Sequence, residues 1–239
     1  LHAPLLYAWA DGVRAVSLDA GVEAERRRMR EEHEELQGHD RGAGSRGGGR
    51  TTVAGVARVA LKPPGHVRAL VALARVVGAR EVLELGTCLG VTAAHFAAEG
   101  FQVRTVEGHA GRARRAQVGW ERCGRGEGIA LEVCTFDAAL TRWEAQHPRP
   151  QWDYIFLDGH HEGAAMRGYL RRLRPLLAPE GCIVCDDIHG TPDMEAAWEA
   201  EREAWRTTAD VFWAGVLFNR TDLTPGHFAV RLPGTNFGG

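Results

Sequence analysis

The sequence predicts a doubly wound α/β fold: a mostly parallel sheet with helices packed on both faces. Three observations lead there. From Glu81 onward, short apolar runs alternate with helical stretches five times. Most of these runs end in a glycine or an acid, as expected where ligands meet the carboxyl ends of parallel strands. Finally, 239 residues are enough to bury one full core.

The elements follow in order. EVLEL, from Glu81, is the first strand, with a helix over Val91 to Ala98. QVRTVE is the second, followed by a helix from Gly111 to Arg122. IALEVCTF is the third, with a helix near Ala138 to Ala145. DYIFLD is the fourth, before a helix from Gly163 to Leu177. GCIVCDD is the fifth, before a helix near Met194 to Trp205. Repeated strand–helix units imply parallel pairing through right-handed crossovers. Two late runs, DVFWAGVLF and HFAVRL, have no helix between them and read as a closing antiparallel pair. The expected sheet has seven strands, mostly parallel, with an antiparallel strand at its C-terminal end.

Before Glu81 the pattern is helical. Leu5, Leu6, Trp9, Val13 and Val16 recur at helical spacing. Glu23 to Leu36 is almost wholly charged and carries opposite charges at i,i+4 in Glu23–Arg27 and Arg28–Glu32, which reads as a solvated helix face. Arg41 to Arg50 is too rich in glycine to hold a helix and serves either as a linker or as a lid over a ligand. Helical patterns resume from Val53 to Leu61 and from His66 to Val77. Residues 1–78 are therefore expected to form a helical N-terminal extension, and residues 79–239 the main domain.

Composition narrows the function. Hydrophobic residues at 44%, charged residues at 25% and a net charge of −2 describe an ordinary globular chain without a global pull towards nucleic acid or membrane. Arginine supplies nearly all the positive charge, and Lys62 is the only lysine. Five cysteines form no disulfide framework and fit a reduced, cytoplasmic setting. No run reaches the roughly 20 apolar residues of a membrane span. The expected partner is a small molecule, with a homodimer left open by the N-terminal helices and the late strands.

Chemistry is expected at the strand ends. In ELGTCLGVT, Gly86 and Gly90 permit a tight turn ahead of a helix N-terminus. The dinucleotide fingerprint G-x-G-x-x-G fails, because Cys88 holds its middle position and Val91 stands where its last small residue is needed, which disfavours nicotinamide and flavin cofactors. The second strand ends in Glu107, at the offset from Gly86 where an acid accepts hydrogen bonds from ribose hydroxyls.

Glu84-Leu85-Gly86 with Gly90, followed by a strand ending in Glu107, resembles the cofactor half of the class I S-adenosylmethionine methyltransferases, whose fold is Rossmann-like. The missing middle glycine resembles the catechol and caffeoyl-CoA O-methyltransferase branch. That resemblance covers about Arg80 to Ile188; the whole chain resembles bacterial methyltransferases of largely unassigned substrate. It implies that Thr92 and the loop amides hold the methionine carboxylate, that Glu84 orients the amino end, and that Thr87 belongs to the same cofactor site. It also implies that Phe136 and Asp137 contact the adenine, with Asp158 and His160 completing the cofactor site.

Asp158, Asp186 and Asp187 end neighbouring strands and should converge, and three close carboxylates repel unless a cation or protons neutralise them. Oxygen-rich clusters suit Mg²⁺ or Mn²⁺, although Asp187 also suits a helix cap. In the catechol-type branch the matching positions are Asp, Asp and Asn and bind Mg²⁺; Asp187 departs from that pattern. His161 stands where that branch has a lysine base. A lysine must come down about three pH units from its ordinary ~10.4 to act at neutral pH, whereas an imidazole starts near ~6.5. His160 and His189 flank the same region.

Cys182 and Cys185 spell C-x-x-C inside a predicted strand, where i and i+3 face opposite sides, so core cysteines are expected. Trp198, Trp205 and Trp213 are expected in the core, with a substrate wall as the alternative. The sequence thus points to methyl transfer from S-adenosylmethionine to a small-molecule hydroxyl, with Asp158 and His161 catalytic and Mg²⁺ or Mn²⁺ on Asp158, Asp186 and Asp187. The alternatives are an N- or nucleic-acid methyltransferase, whose base-amine signature is missing, and a non-catalytic cofactor-binding protein.

Overall fold

The computed structural model describes residues 4–38 and 51–235. The Gly-rich segment read as a linker or lid lies outside these residues. Two helices open the chain, α1 (Pro4–Ala15) and α2 (Ala20–Met29), followed by α3 (Val53–Val59) and α4 (Pro64–Val76). The alternating region runs β1 (Glu81–Leu85), α5 (Val91–Ala98), β2 (Gln102–Glu107), α6 (Ala110–Cys123), β3 (Ile129–Val133) and α7 (Phe136–Glu144). It continues with β4 (Trp152–Leu157), α8 (Gly163–Leu173), a 3-10 turn at Arg174–Leu176, β5 (Leu177–Asp186) and α9 (Pro192–Arg202). The chain closes with β6 (Thr207–Asp210), β7 (Ala214–Phe218) and β8 (Gly226–Ala229).

The sheet has eight strands, not seven, in the order β3-β2-β1-β4-β5-β7-β6-β8. The first five in chain order pair in parallel, and β7 runs antiparallel to β5 and to β6. The two late runs do not pair with each other as expected. DVFWAGVLF breaks at 211–213, where the Val211 amide donates to the Ala214 carbonyl at 2.9 Å and Phe212 takes a φ of 72°. Its first residue, Asp210, belongs to β6, whose Thr-Thr-Ala-Asp lacks the apolar alternation that reveals a strand. The final strand then adds to β6 in parallel.

The pleat divides the core. Tyr154 and Phe156 of β4 face a layer containing Trp9, Met29, Leu70 and Phe96, whereas Ile155 and Leu157 face Trp143, Tyr169 and Trp198. Helices α1, α2, α4 and α5 thus cover one face, and α7, α8 and α9 the other. The N-terminal helices share the main core: Trp9 Nε1 donates to the Ala69 carbonyl of α4 at 2.8 Å.

The charged run from Glu23 is solvated on one side only: Arg27, Arg28, Arg30 and Glu31 are exposed, and the other side is an interface. Its helix ends at Met29, and Glu25 and Arg26 are buried. Arg115 of α6 reaches across to Glu25 Oε1 at 2.6 Å and Glu32 Oε1 at 2.8 Å, while Glu23 accepts from Arg26 Nε at 2.9 Å and meets His95 Nε2 at 2.9 Å. The charges that nearly cancel in sequence cancel here across an interface. Among the described residues, no helix is long and apolar enough to cross a membrane.

Candidate active site

Strand order reverses between β1 and β4, where open α/β sheets place ligands. A cleft of about 600 Å³ opens there, with α3 along one side. Gly86, Glu107, Phe136, Asp137, Asp158, His160, His161 and Asp187 line it, as do Lys62, Val56, Val59 and Ala60.

The turn after β1 depends on glycine for internal reasons. Gly86 has a φ of 113°, and a Cβ there would lie 1.8 Å from the Asp158 carbonyl oxygen, so its smallness lets the backbone after β4 come this close to the end of β1. Gly90, at φ 78°, precedes α5; its missing Cβ makes room for Trp120, and it does not line the cleft. Thr92 and Thr87 are buried, and Thr87 Oγ1 meets Thr105 Oγ1 at 2.6 Å. Thr105 donates in turn to Glu84 Oε2 at 2.6 Å. Burial pushes the Glu84 carboxyl up to about 8, against the pull of the Thr105 hydroxyl. Glu84, Thr87, Gly90 and Thr92 therefore stand behind the cleft wall, outside its lining.

Glu107 is aimed at the cleft by two backbone amides. Its Oε2 accepts from Cys88 N at 2.8 Å and its Oε1 from His109 N at 2.8 Å. Cys88 reaches that position through a φ of 53°. A carboxylate oxygen has a second lone pair, so both amides can stay satisfied while each oxygen accepts from a ligand hydroxyl.

An aromatic group closes the neighbouring wall. Phe136 packs edge-on against Tyr169 with centroids 5.5 Å apart, and Tyr169 Oη meets His160 Nδ1 at 2.9 Å. Thr135 caps α7 by accepting from Ala138 N, which fixes Phe136 at the cleft edge. Asp137 is exposed and accepts from Arg172 Nη1 at 2.8 Å.

The acidic cluster is assembled, with two changes from expectation. Asp158, His161 and Asp186 offer ligand-type atoms within 4.8 Å of one another. Asp187 is outside that group: its carboxylate is half-exposed, and Oδ2 lies 3.8 Å from His161 Nδ1. The second change is Lys62. Its ammonium stands 3.2 Å from Asp158 Oδ1 and hydrogen-bonds Asp186 Oδ2. Burial works against that charge, but Asp158 and Asp186 more than offset it and hold the amine above the ordinary lysine range. The other Asp186 oxygen, Oδ1, is buried without a hydrogen-bond partner.

These residues do not fit a divalent ion as they stand. Such an ion needs oxygens at 2.0–2.6 Å, and the ground between the two carboxylates is taken by a fixed positive charge. The sequence signal for Lys62 was its rarity: it is the only lysine among 29 Lys and Arg residues.

The remaining candidates are elsewhere. His189 is outside the cleft lining, held by Asp210 Oδ2 at 2.8 Å and Glu195 Oε1 at 3.3 Å. Cys182 and Cys185 are free and buried on opposite faces of β5, and burial raises both thiols. Trp198, Trp205 and Trp213 are core residues; Trp213 stacks on His66 at 4.1 Å.

Residues 83–188 match the family model Methyltransf_24, described as a methyltransferase domain. No curated protein matches the chain by sequence. Among solved structures, the O-methyltransferase from Bacillus cereus, in complex with SAH, superposes with a TM-score of 0.61 at 16% identity, covering 89% of this chain and 98% of its own. The O-methyltransferase TomG from Streptomyces achromogenes, involved in tomaymycin synthesis and bound to SAM, gives 0.63 at 16% identity, over 88% and 92%. SAH-bound methyltransferase PaMTH1 from Podospora anserina gives 0.65 at 15% identity, over 89% and 95%. Residues 83–188 are thus a methyltransferase domain, and the chain around them has the fold of the S-adenosylmethionine-dependent O-methyltransferases.

Proposed function

We propose that the chain transfers a methyl group from S-adenosylmethionine to a hydroxyl of a small molecule with an apolar body. One observation carries the reading: a single cleft joins a cofactor-type wall, Gly86, Glu107 and Phe136, to a proton-handling group, Asp158 and His161. In this reading Glu107 accepts both ribose hydroxyls, Phe136 and Asp137 flank the adenine, and His160 and Asp158 border the sulfonium end. Glu84, Thr87, Gly90 and Thr92 shape the methionine end from behind, by fixing the loop whose amides face it.

The acceptor lies along α3. Val56, Val59 and Ala60 form an apolar wall, and Val59 is 86% exposed, an apolar surface that a ligand body would cover. The acceptor oxygen attacks the methyl carbon in line with the breaking S–CH₃ bond. A new O–CH₃ bond forms, the sulfur keeps the bonding pair, and the hydroxyl proton goes to His161. His161 has carboxylates on both sides, with Nε2 3.9 Å from Asp158 Oδ1 and Nδ1 3.8 Å from Asp187 Oδ2, and these support the imidazolium that forms. No step is assigned to Mg²⁺ or Mn²⁺, because Lys62 holds the carboxylates that would bind it.

Incubation with methyl-labelled S-adenosylmethionine and a panel of phenols, alcohols and hydroxy acids tests the proposal. The expected result is a methyl ether formed in step with the demethylated cofactor. Transfer to nitrogen alone, or cofactor binding with no transfer to any acceptor, would overturn it.

A further inference from the structure

We infer that Lys62 is a built-in cation: its ammonium takes the place of a divalent metal between Asp158 and Asp186 and holds the acceptor by a single oxygen. The inference rests on the proposed methyl transfer for its substrate, and on the cluster's own geometry for the cation.

Lys62 is placed by its backbone. It precedes Pro63 and Pro64, whose rings fix the entry to α4, and its carbonyl accepts from the buried Arg26 Nη1 at 2.5 Å. Its side chain then runs inward, 13% exposed, to a carboxylate on each of two adjacent strands. An ammonium has three donors in a tetrahedral array. One is used by Asp186, Asp158 lies beside the ammonium as an ion pair at 3.2 Å, and Lys62 lines the cleft, so a donor is left for a ligand. A guanidinium, the cation used everywhere else in this chain, is a flat fork and does not match three separate acceptors around one point.

Taking Lys62 away in thought leaves two aspartates, an orphaned Oδ1 on Asp186 and His161 within 4.8 Å, a donor set that would suit Mn²⁺. One side chain thus decides between a metal site and an ammonium site. The consequence concerns substrate. A metal favours acceptors that chelate through vicinal oxygens, whereas one N–H donor asks for a single oxygen. The acceptor class is therefore an isolated phenol or alcohol. Lys62 stays protonated throughout and stabilises the oxygen as its proton leaves for His161.

Manganese alone is the probe. Mn²⁺ titrations followed by electron paramagnetic resonance would be run on the wild type, Lys62→Met, Lys62→Arg and the double variant Lys62→Met/Asp186→Asn. The wild type and Lys62→Arg are expected to show no saturable one-to-one site at micromolar Mn²⁺. Lys62→Met is expected to gain one, with affinity raised roughly 100-fold or more, and the double variant to lose it. A micromolar wild-type site abolished by Asp186→Asn would overturn the inference, and the wild-type titration decides this even if Lys62→Met fails to fold. A folded Lys62→Met that gains no site would overturn it too. Titration of S-adenosylhomocysteine into the same wild-type sample reports separately on the cofactor, so failure of the methyltransferase reading is distinguishable.

Discussion

The indole of Trp120 is fitted to the turn at Gly90. Its Nε1 donates to the Gly90 carbonyl at 2.7 Å, and the same atom lies 2.6 Å from where a Cβ on Gly90 would be. The glycine that the sequence marks as part of a tight turn is thus required by a contact between α6 and the loop before α5.

Gly90→Ala should therefore lose more stability than a change at a glycine under backbone strain alone. Gly124 is the control: its φ of 65° is similar, but a Cβ there meets nothing within 4 Å. We expect about 1 kcal/mol for Gly124→Ala and about 2–4 kcal/mol for Gly90→Ala, where overpacking adds to strain. Chemical denaturation of both variants checks this; equal losses would contradict the Trp120 contact.

Stability should also depend on Glu84. Its folded pKa of about 8 is raised from 4.5, first by burial and then by the charges of Asp158 and Glu107. The folded state therefore holds the proton more tightly than the unfolded chain does. That contribution is fully present below about pH 4.5 and is lost as pH rises through 8, on the order of a few kcal/mol. Glu84→Gln should flatten this part of the pH profile of unfolding. An unchanged slope between pH 5 and 8 would contradict a buried, protonated Glu84.

Arg115 joins α6 to the N-terminal helices through Glu25 and Glu32, with its side chain 5% exposed. Arg115→Met leaves those carboxylates only the longer, more exposed pairs with Arg28 and Arg122 at 3.5–3.7 Å, and breaking a buried pair from one side costs about 3–5 kcal/mol. The urea midpoint should fall accordingly at constant slope. A loss below about 1 kcal/mol would mark the pair as solvent-screened.

His161→Ala should lower turnover by roughly 10²–10⁴, the usual range for a lost general base, while cofactor affinity changes little. Steady-state kinetics with any acceptor found in the screen, paired with S-adenosylhomocysteine binding, separates the two effects. Wild-type turnover at all pH values would remove His161 from the mechanism.

The parts of the fold that were legible in sequence are those whose burial follows a simple period. β1 and β2 fall where EVLEL and QVRTVE predict, because central parallel strands are continuous apolar runs. The strand β6 was hidden because Thr207 and Thr208 are buried polar residues and supply no apolar period. The charged run at Glu23 misled for a related reason. Local sequence shows the charges but not the partner, Arg115, which lies 90 residues from Glu25. At the site, Glu107 and the Asp158–His161 pair were legible because strand-end position and residue type coincide. Lys62 was not, because it arrives from a segment with no strand end to mark it, and only its rarity set it apart.

In the proposed mechanism everything depends on the cleft beside Glu107 binding S-adenosylmethionine. Calorimetric titration of S-adenosylhomocysteine into the wild type and Glu107→Gln tests it most directly. Gln keeps an oxygen for one of the two backbone amides, turns an NH₂ towards the other and loses one acceptor for ribose, so one-to-one micromolar binding is expected to weaken at least ~10-fold, about 1.4 kcal/mol. A thermal melt of the variant would confirm that it is folded. Undiminished binding in folded Glu107→Gln, or no binding to the wild type, would contradict the account.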